Sequence, residues 1–240
     1  MKKYIALLFS FLFITNIMYA QTTEEILQKY FELTGLQKLA SVKTLEIEGS
    51  TNAVKMLVAF RLQYMKPNFY RMKERTNNDI VAYKIDNGID NVIKLRDTTI
   101  PFPVFDNFIM KSIVDLLQGG IYNYKNNGIN IEFKGIDTIL GNKFYKLELT
   151  DKIGQKFIAM LDTTTYDIRY LSGNPLSGPM QFAPIFLDNY QKVDGISFPC
   201  KIDFADRTMD ILIRIESIKL NPVLPKEIFT INYPENNNFD

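Results

Sequence analysis

Val54-Lys-Met-Leu-Val-Ala-Phe-Arg-Leu-Gln-Tyr-Met65 decides the fold class of this chain. Val54, Met56, Val58, Phe60, Leu62 and Tyr64 fall on one face of an extended strand, and all are apolar or aromatic. Side chains alternate across a strand with a period of two, so this face is built for burial. The other face carries Lys55, Leu57, Ala59, Arg61, Gln63 and Met65, half of them apolar, which predicts contact with a second layer. Upstream, Leu45 and Ile47 alternate with Glu46 and Glu48 in the same rhythm. Downstream, Lys66-Pro67-Asn68 turns the chain, and residues 69–76, 80–86 and 91–96 read as further strands. Asn77-Asn78-Asp79 and Asp86-Asn87-Gly88 separate them with turn chemistry that favours hairpins.

Two stretches replace this rhythm with helical spacing. In residues 22–39, Ile26, Leu27, Tyr30, Phe31 and Leu33 recur at helical intervals. Thr22 or Thr23 can cap this helix, Glu24 and Glu25 meet its positive end, and Gly35 is a terminator or a break before a last turn. Ile100-Pro-Phe-Pro103 is extended, because a residue before proline avoids the α region. Residues 104–118 then place Phe105, Phe108, Ile109, Ile113, Leu116 and Leu117 on one side of a helix, ended by Gly119-Gly120. Strand candidates fill the rest: 129–137, 142–150, 155–162, 165–171, 182–193, 196–206 and 209–220. Residues 172–181 read as a loop, and Asn221 to Pro234 as an extended exit with Phe229 as a plug. Short connections predict an antiparallel sheet. About eleven strands must curl rather than lie flat, and two amphipathic helices must bury their apolar sides on the concave face. The expected class is therefore mostly β with two helices, an α+β fold built on one strongly curved antiparallel sheet.

The composition excludes several functions. The chain is 46% hydrophobic and 13% aromatic, enough for a large core or a cavity. It has no histidine, which removes Ser-His-Asp and Cys-His catalysis and every histidine-containing metal site. Its single cysteine, Cys200, forbids an intramolecular disulfide and, with no histidine to lower its pKa, reads as a small buried hydrophobe. Asp203, Asp206 and Asp210 cluster near a strand junction, but their spacing matches no calcium loop and reads as a solvated turn. A near-neutral balance of 28 Lys+Arg against 27 Asp+Glu carries no electrostatic footprint for nucleic acid. No catalytic set, metal site or cofactor motif emerges, so an enzyme is not expected.

The first residues carry an export signal. Lys2 and Lys3 form a basic start, Ile5 to Ile14 an apolar run broken only by Ser10, and Asn16 to Ala20 a polar exit. Cleavage is expected near Ala20-Gln21, leaving 21–240 as a single domain outside the cytoplasm; a membrane anchor is the alternative, but the run is short of the about 20 apolar residues a span needs.

Further along, Glu24-Glu25-Ile26-Leu27-Gln28-Lys29-Tyr30 follows this signal directly, and a strand ends in Glu48-Gly49-Ser50. Gly141-Asn-Lys-Phe-Tyr-Lys-Leu-Glu-Leu149 runs to Phe157-Ile-Ala-Met-Leu-Asp162 and Thr165-Tyr-Asp-Ile-Arg169. Tyr190-Gln-Lys-Val-Asp-Gly-Ile-Ser-Phe-Pro199 and the Ile218, Asn221 and Phe229 segment close the pattern. In these features, over most of the mature chain, the sequence resembles the periplasmic lipoprotein-carrier (LolA-like) and outer-membrane lipoprotein-sorting family. The resemblance implies an incomplete β-barrel closed by helices, a cavity for acyl chains, a periplasmic location, and lipid acyl chains, lipoproteins and envelope membrane proteins as partners. A counterpart of that family's lid-locking arginine has no clear place here; Arg61 and Arg71 both lie in strands and read as surface charges.

Two site candidates follow. Phe105, Phe108, Ile109, Ile113 and Leu116 form either a movable lid over an acyl-chain cavity or a permanent core helix, with Pro101, Pro103, Gly119 and Gly120 as hinge regions. Met56, Val58, Phe60 and Leu62 form either the wall of that cavity or plain core. The functional readings are thus a carrier of acyl chains or lipoproteins serving the outer membrane, and a non-catalytic envelope-assembly or protein-interaction module with a filled core.

Overall fold

The computed structural model describes residues 21–53, 56–76, 81–95, 98–101, 121–172, 184–205 and 210–233. The signal expected over 1–20 and the helix expected over 104–118 lie outside them. Thirteen strands form one sheet: β1 Thr44–Ala53, β2 Met56–Met65, β3 Phe69–Thr76, β4 Val81–Asp86, β5 Asn91–Leu95, β6 Thr98–Pro101, β7 Asn130–Ile139, β8 Asn142–Thr150, β9 Lys156–Asp162, β10 Ile168–Ser172, β11 Ile185–Val193, β12 Ile196–Ala205 and β13 Asp210–Leu220. The order across the sheet is β6-β5-β4-β3-β2-β1-β13-β12-β11-β10-β9-β8-β7, with every neighbouring pair antiparallel. Two meanders, β1–β6 and β7–β13, are therefore joined through β1 and β13, and among the described residues the sheet does not close. The alternation-based reading passed over β6, which pairs with β5 (Ile93 opposite Ile100). Pro101 is tolerated there because it ends an edge strand, where no N–H is required.

Helix α1, Thr23–Thr34, begins at Thr22, whose Oγ1 accepts from the N–H of Glu25 at 3.2 Å while Glu25 Oε2 accepts from the N–H of Thr22 at 2.9 Å. This reciprocal pair satisfies two of the free donors at the helix start. The helix stops at Thr34, five residues before the expected end, because Gly35 is left-handed at φ 68; a 3₁₀ turn, Leu36–Ser41, follows. A Cβ at Gly35 would lie 2.0 Å from the carbonyl oxygen of Gly195, so the helix end rests directly on the β11–β12 turn. Ile26, Leu27 and Tyr30 of α1, with Leu36 and Leu39, pack on the concave face of the sheet against Leu45, Ile47, Leu62, Tyr64, Leu147, Leu161, Ile168 and Phe198. Thr23 Oγ1 also accepts from the N–H of Phe133 at 2.9 Å, satisfying one backbone donor of β7.

The outer face has its own cover. After β13 the chain crosses the sheet, pinned by Lys43 N–H on Asn221 Oδ1 (2.8 Å) and Asn221 N–H on the carbonyl of Thr44 (2.9 Å). It then forms a 3₁₀ turn, Lys226–Phe229. Arg71 Nη1 donates to the carbonyl of Ile228 (2.6 Å), Asn87 Nδ2 to that of Phe229 (2.9 Å) and Lys94 Nζ to that of Ile231 (3.0 Å). Phe229 is buried and stacks on Phe69 at 5.8 Å. It plugs the outside of β3, not the interior, since Phe69 and Arg71 lie on the opposite face from Tyr70 and Met72. Arg71 is 5% exposed and is not the surface charge expected; Tyr83 and Tyr233 cover its guanidinium at 4.8 and 5.4 Å. Arg61, by contrast, pairs with Glu48 at 2.7 Å across the half-exposed surface of β1–β2. The second layer expected over β2 thus lies over β3–β5, and Leu57 is exposed.

Among the described residues no helix is long and apolar enough to cross a membrane.

Candidate functional site

The concave face of β2 carries Val58, Phe60 and Leu62, all buried, and Met56 opens the same strand. Phe60 and Leu62 belong to the cluster that packs under α1, so these wall positions are also core. Val58 is buried outside that cluster. Register carries the face across the sheet: Leu62 lies opposite Met72 and Phe60 opposite Glu74 on β3, Met72 opposite Lys84 on β4, and Lys84 opposite Ile93 on β5. Lys84 Nζ and Glu74 Oε1 form a largely buried ion pair at 2.8 Å. The sequence reading missed this pair. Its signal was available: Glu74 interrupts the apolar alternation of Tyr70 and Met72, and Lys84 sits one register step away on the next strand.

A groove of about 700 Å³ runs between α1 and residues 122–126. Leu27, Phe31, Tyr122 and Tyr124 supply its apolar wall, and Glu24, Gln28, Glu32 and Gln37 its polar margin. Phe31 and Tyr122 meet edge to face at 5.1 Å. Phe105, Phe108, Ile109, Ile113 and Leu116 lie outside the described residues.

The buried polar groups are structural in their chemistry. Burial pushes the Tyr30 phenol well above its ordinary value, and the charge of Asp167 adds to this; Tyr190 is raised in the same way, first by burial. Both stay neutral near pH 7 and are poor proton donors. Asp167 accepts from Ser197 Oγ at 3.2 Å, tying β12 to the residues before β10. Burial also pushes the Cys200 thiol up, which removes thiolate character. Among the described residues no group of three or more carboxylate or cysteine side chains is placed to hold a metal ion. Asp203 is half-buried in β12, and Asp206 lies outside the described residues.

One antiparallel sheet, unclosed among the described residues, with α1 on its concave face has the incomplete β-barrel fold seen in LolA-like proteins. Comparison with solved structures finds the same fold in a LolA superfamily protein from Nitrosomonas europaea, at 16% identity over 90% of this chain and 100% of that one, with a TM-score of 0.53. A DUF1329 family protein from Desulfovibrio piger is similar at 12% identity over 86% and 97% of the two chains, with a TM-score of 0.52. No family model matches the sequence. No curated protein matches it.

Proposed function

We propose that this protein is a non-catalytic periplasmic carrier that shields lipid acyl chains, free or on lipoproteins, for transfer towards the outer membrane. The observation that carries this reading is the apolar concave face of a sheet whose two edges, β6 and β7, do not pair with each other among the described residues. Burial of apolar surface, at about 0.8 kcal/mol per CH₂, drives such binding without catalytic groups. The lack of histidine and the buried, un-ionised Cys200 agree with a binding role. The residues assigned to the chain are Met56, Val58, Phe60 and Leu62, with Phe105, Phe108, Ile109, Ile113 and Leu116 from the sequence reading. Export rests on Lys2, Lys3, the apolar run and cleavage near Ala20-Gln21.

A second reading, an envelope-assembly or protein-interaction module with a filled interior, is favoured by the packing of Phe60 and Leu62 into the α1 core. Titration of delipidated protein with a fluorescent fatty acid, beside mass spectrometry of copurifying lipid, separates the two. The carrier reading expects saturable binding that weakens in Val58→Phe, which adds bulk to the buried face of β2, and in Phe108→Ala. Absence of both saturable binding and copurifying lipid leaves the interaction module.

A further inference from the structure

We infer that the protein docks on a lipid bilayer through one end of its barrel, by inserting three separate aliphatic side chains. The register defines that end. Thr44 pairs with Met65, Tyr70 with Asp86, Leu45 with Leu220 and Phe144 with Asp162, so the turns 66–68, 87–90 and 140–141 and the exit after Leu220 all lie at the same end of the strands. Each of three tips there presents an apolar residue almost wholly to solvent: Ile89 at 93%, Leu140 at 97% and Val223 at 98%. Ile153, the next most exposed at 70%, belongs to the β8–β9 turn at the opposite end.

Each tip has a defined backbone geometry. Asn87 Oδ1 accepts from the N–H groups of Ile89 and Asp90 at 3.0 and 2.7 Å, bracing the first turn. Leu140 and Gly141 form a two-residue hairpin turn with φ of 50 and 82. Asparagine is the favoured first residue of such a turn, and a leucine with positive φ is disfavoured. Val223 lies between Pro222 and Pro225, and the Pro222 carbonyl accepts from Thr44 Oγ1 at 2.6 Å. A strained, solvated leucine contributes nothing to packing here, so its apolar character points outward.

The spacing selects the partner. Strands β1–β3 lie between the Ile89 and Val223 tips, and β9–β12 between Val223 and Leu140. At about 4.8 Å per strand the neighbouring tips stand roughly 20 Å and 25 Å apart along the rim. A protein partner would need three distant pockets at matched separations, whereas fluid acyl chains accept isolated side chains anywhere on their surface. Lys143 flanks Leu140 and Asp90 flanks Ile89, so the tips carry charge of both signs and the surface suited is a zwitterionic one. The inference requires no ligand in the interior.

The test is flotation of the full chain, purified from the cells that make it, with phosphatidylcholine vesicles. Wild type floats in proportion to lipid. Ile89→Asn, Leu140→Asn and Val223→Asn each lower the partition coefficient about ten-fold, Ile153→Asn leaves it unchanged, and the triple variant stays at the bottom. Leu140→Asn creates the favoured Asn-Gly turn, so its Tm is no lower than wild type and loss of fold cannot explain its loss of binding. Wild type that does not float, or a triple variant that floats equally well, overturns the inference. So does self-association of wild type without flotation that the triple variant lacks, which would assign the tips to a contact between copies. Fatty-acid binding without flotation overturns it while leaving the carrier reading intact.

Discussion

At the scale of single residues, the positions that govern the fold are those where another backbone comes close. A methyl at Gly35 would collide with the Gly195 carbonyl and would also be held at a φ that side chains disfavour. Gly35→Ala is expected to lower unfolding free energy by about 2–4 kcal/mol in urea titration. Gly49 is similar: its Cβ would meet the Arg214 carbonyl at 2.1 Å, at the register shift between β1 and β13. Glu46 lies three residues earlier, on the outer face of β1. Burial alone would raise its carboxyl, but hydrogen bonds from Lys219 and Gln63, with the charges of Lys219 and Arg61, outweigh this and hold it below the usual range. A depressed carboxyl stabilises the fold above its unfolded pKa of about 4.3, and that stability is lost as pH falls through the lower folded value. Glu46→Gln should therefore flatten the acid limb of stability below about pH 4.5 and leave the slope near neutrality unchanged, read by urea midpoints across pH. Cys200 should resist a thiol reagent in the native protein and react on unfolding. Gly35 was legible in the sequence as a helix stop because its signal is local. Glu46 and Arg71 were not, because a partner of each lies more than 150 positions away, at Lys219 and Ile228.

At the scale of elements, alternation revealed every strand long enough to show two turns of the pattern, and hairpin chemistry set most of the boundaries. β6 escaped because four residues with two threonines and a terminal proline carry no alternation to read. The interior wall of β2 was legible for the same reason that made it ambiguous: an apolar period of two describes a cavity lining and a filled core equally well, and Phe60 and Leu62 are in fact packed. The helix start was readable down to its reciprocal cap, and Thr22→Ala should cost about 1 kcal/mol. The carboxy-terminal crossing was read only as an exit. Arg71, Asn87 and Lys94 all donate to its backbone carbonyls, and only Arg71 brings a buried guanidinium, a charged hydrogen bond that contributes about 1.5–3 kcal/mol. Arg71→Met is expected to loosen the crossing, so that cleavage after Lys226 by a lysine-specific protease accelerates at least ten-fold while far-ultraviolet circular dichroism of the sheet persists.

At the scale of the whole molecule, the two meanders share one sheet only through β1 and β13. Protection against amide hydrogen exchange should accordingly be highest along Leu45–Ile47 and their partners Ile218 and Leu220, and lowest in β6, which is exposed throughout. Equal protection across the sheet would mean that the edges are stabilised from outside. The same join has a consequence for the nascent chain. β1 is complete early in synthesis, but its partner arrives only when residue 220 emerges. At about 5–20 residues per second, β1 waits roughly 10–30 s with a bare hydrogen-bonding edge. Over that interval the first meander is an unfinished sheet open to pairing with any other strand it meets. A holding chaperone that covers β1 until the last strand arrives, or delivery across a membrane before either half has set, would each keep that edge from the wrong partner.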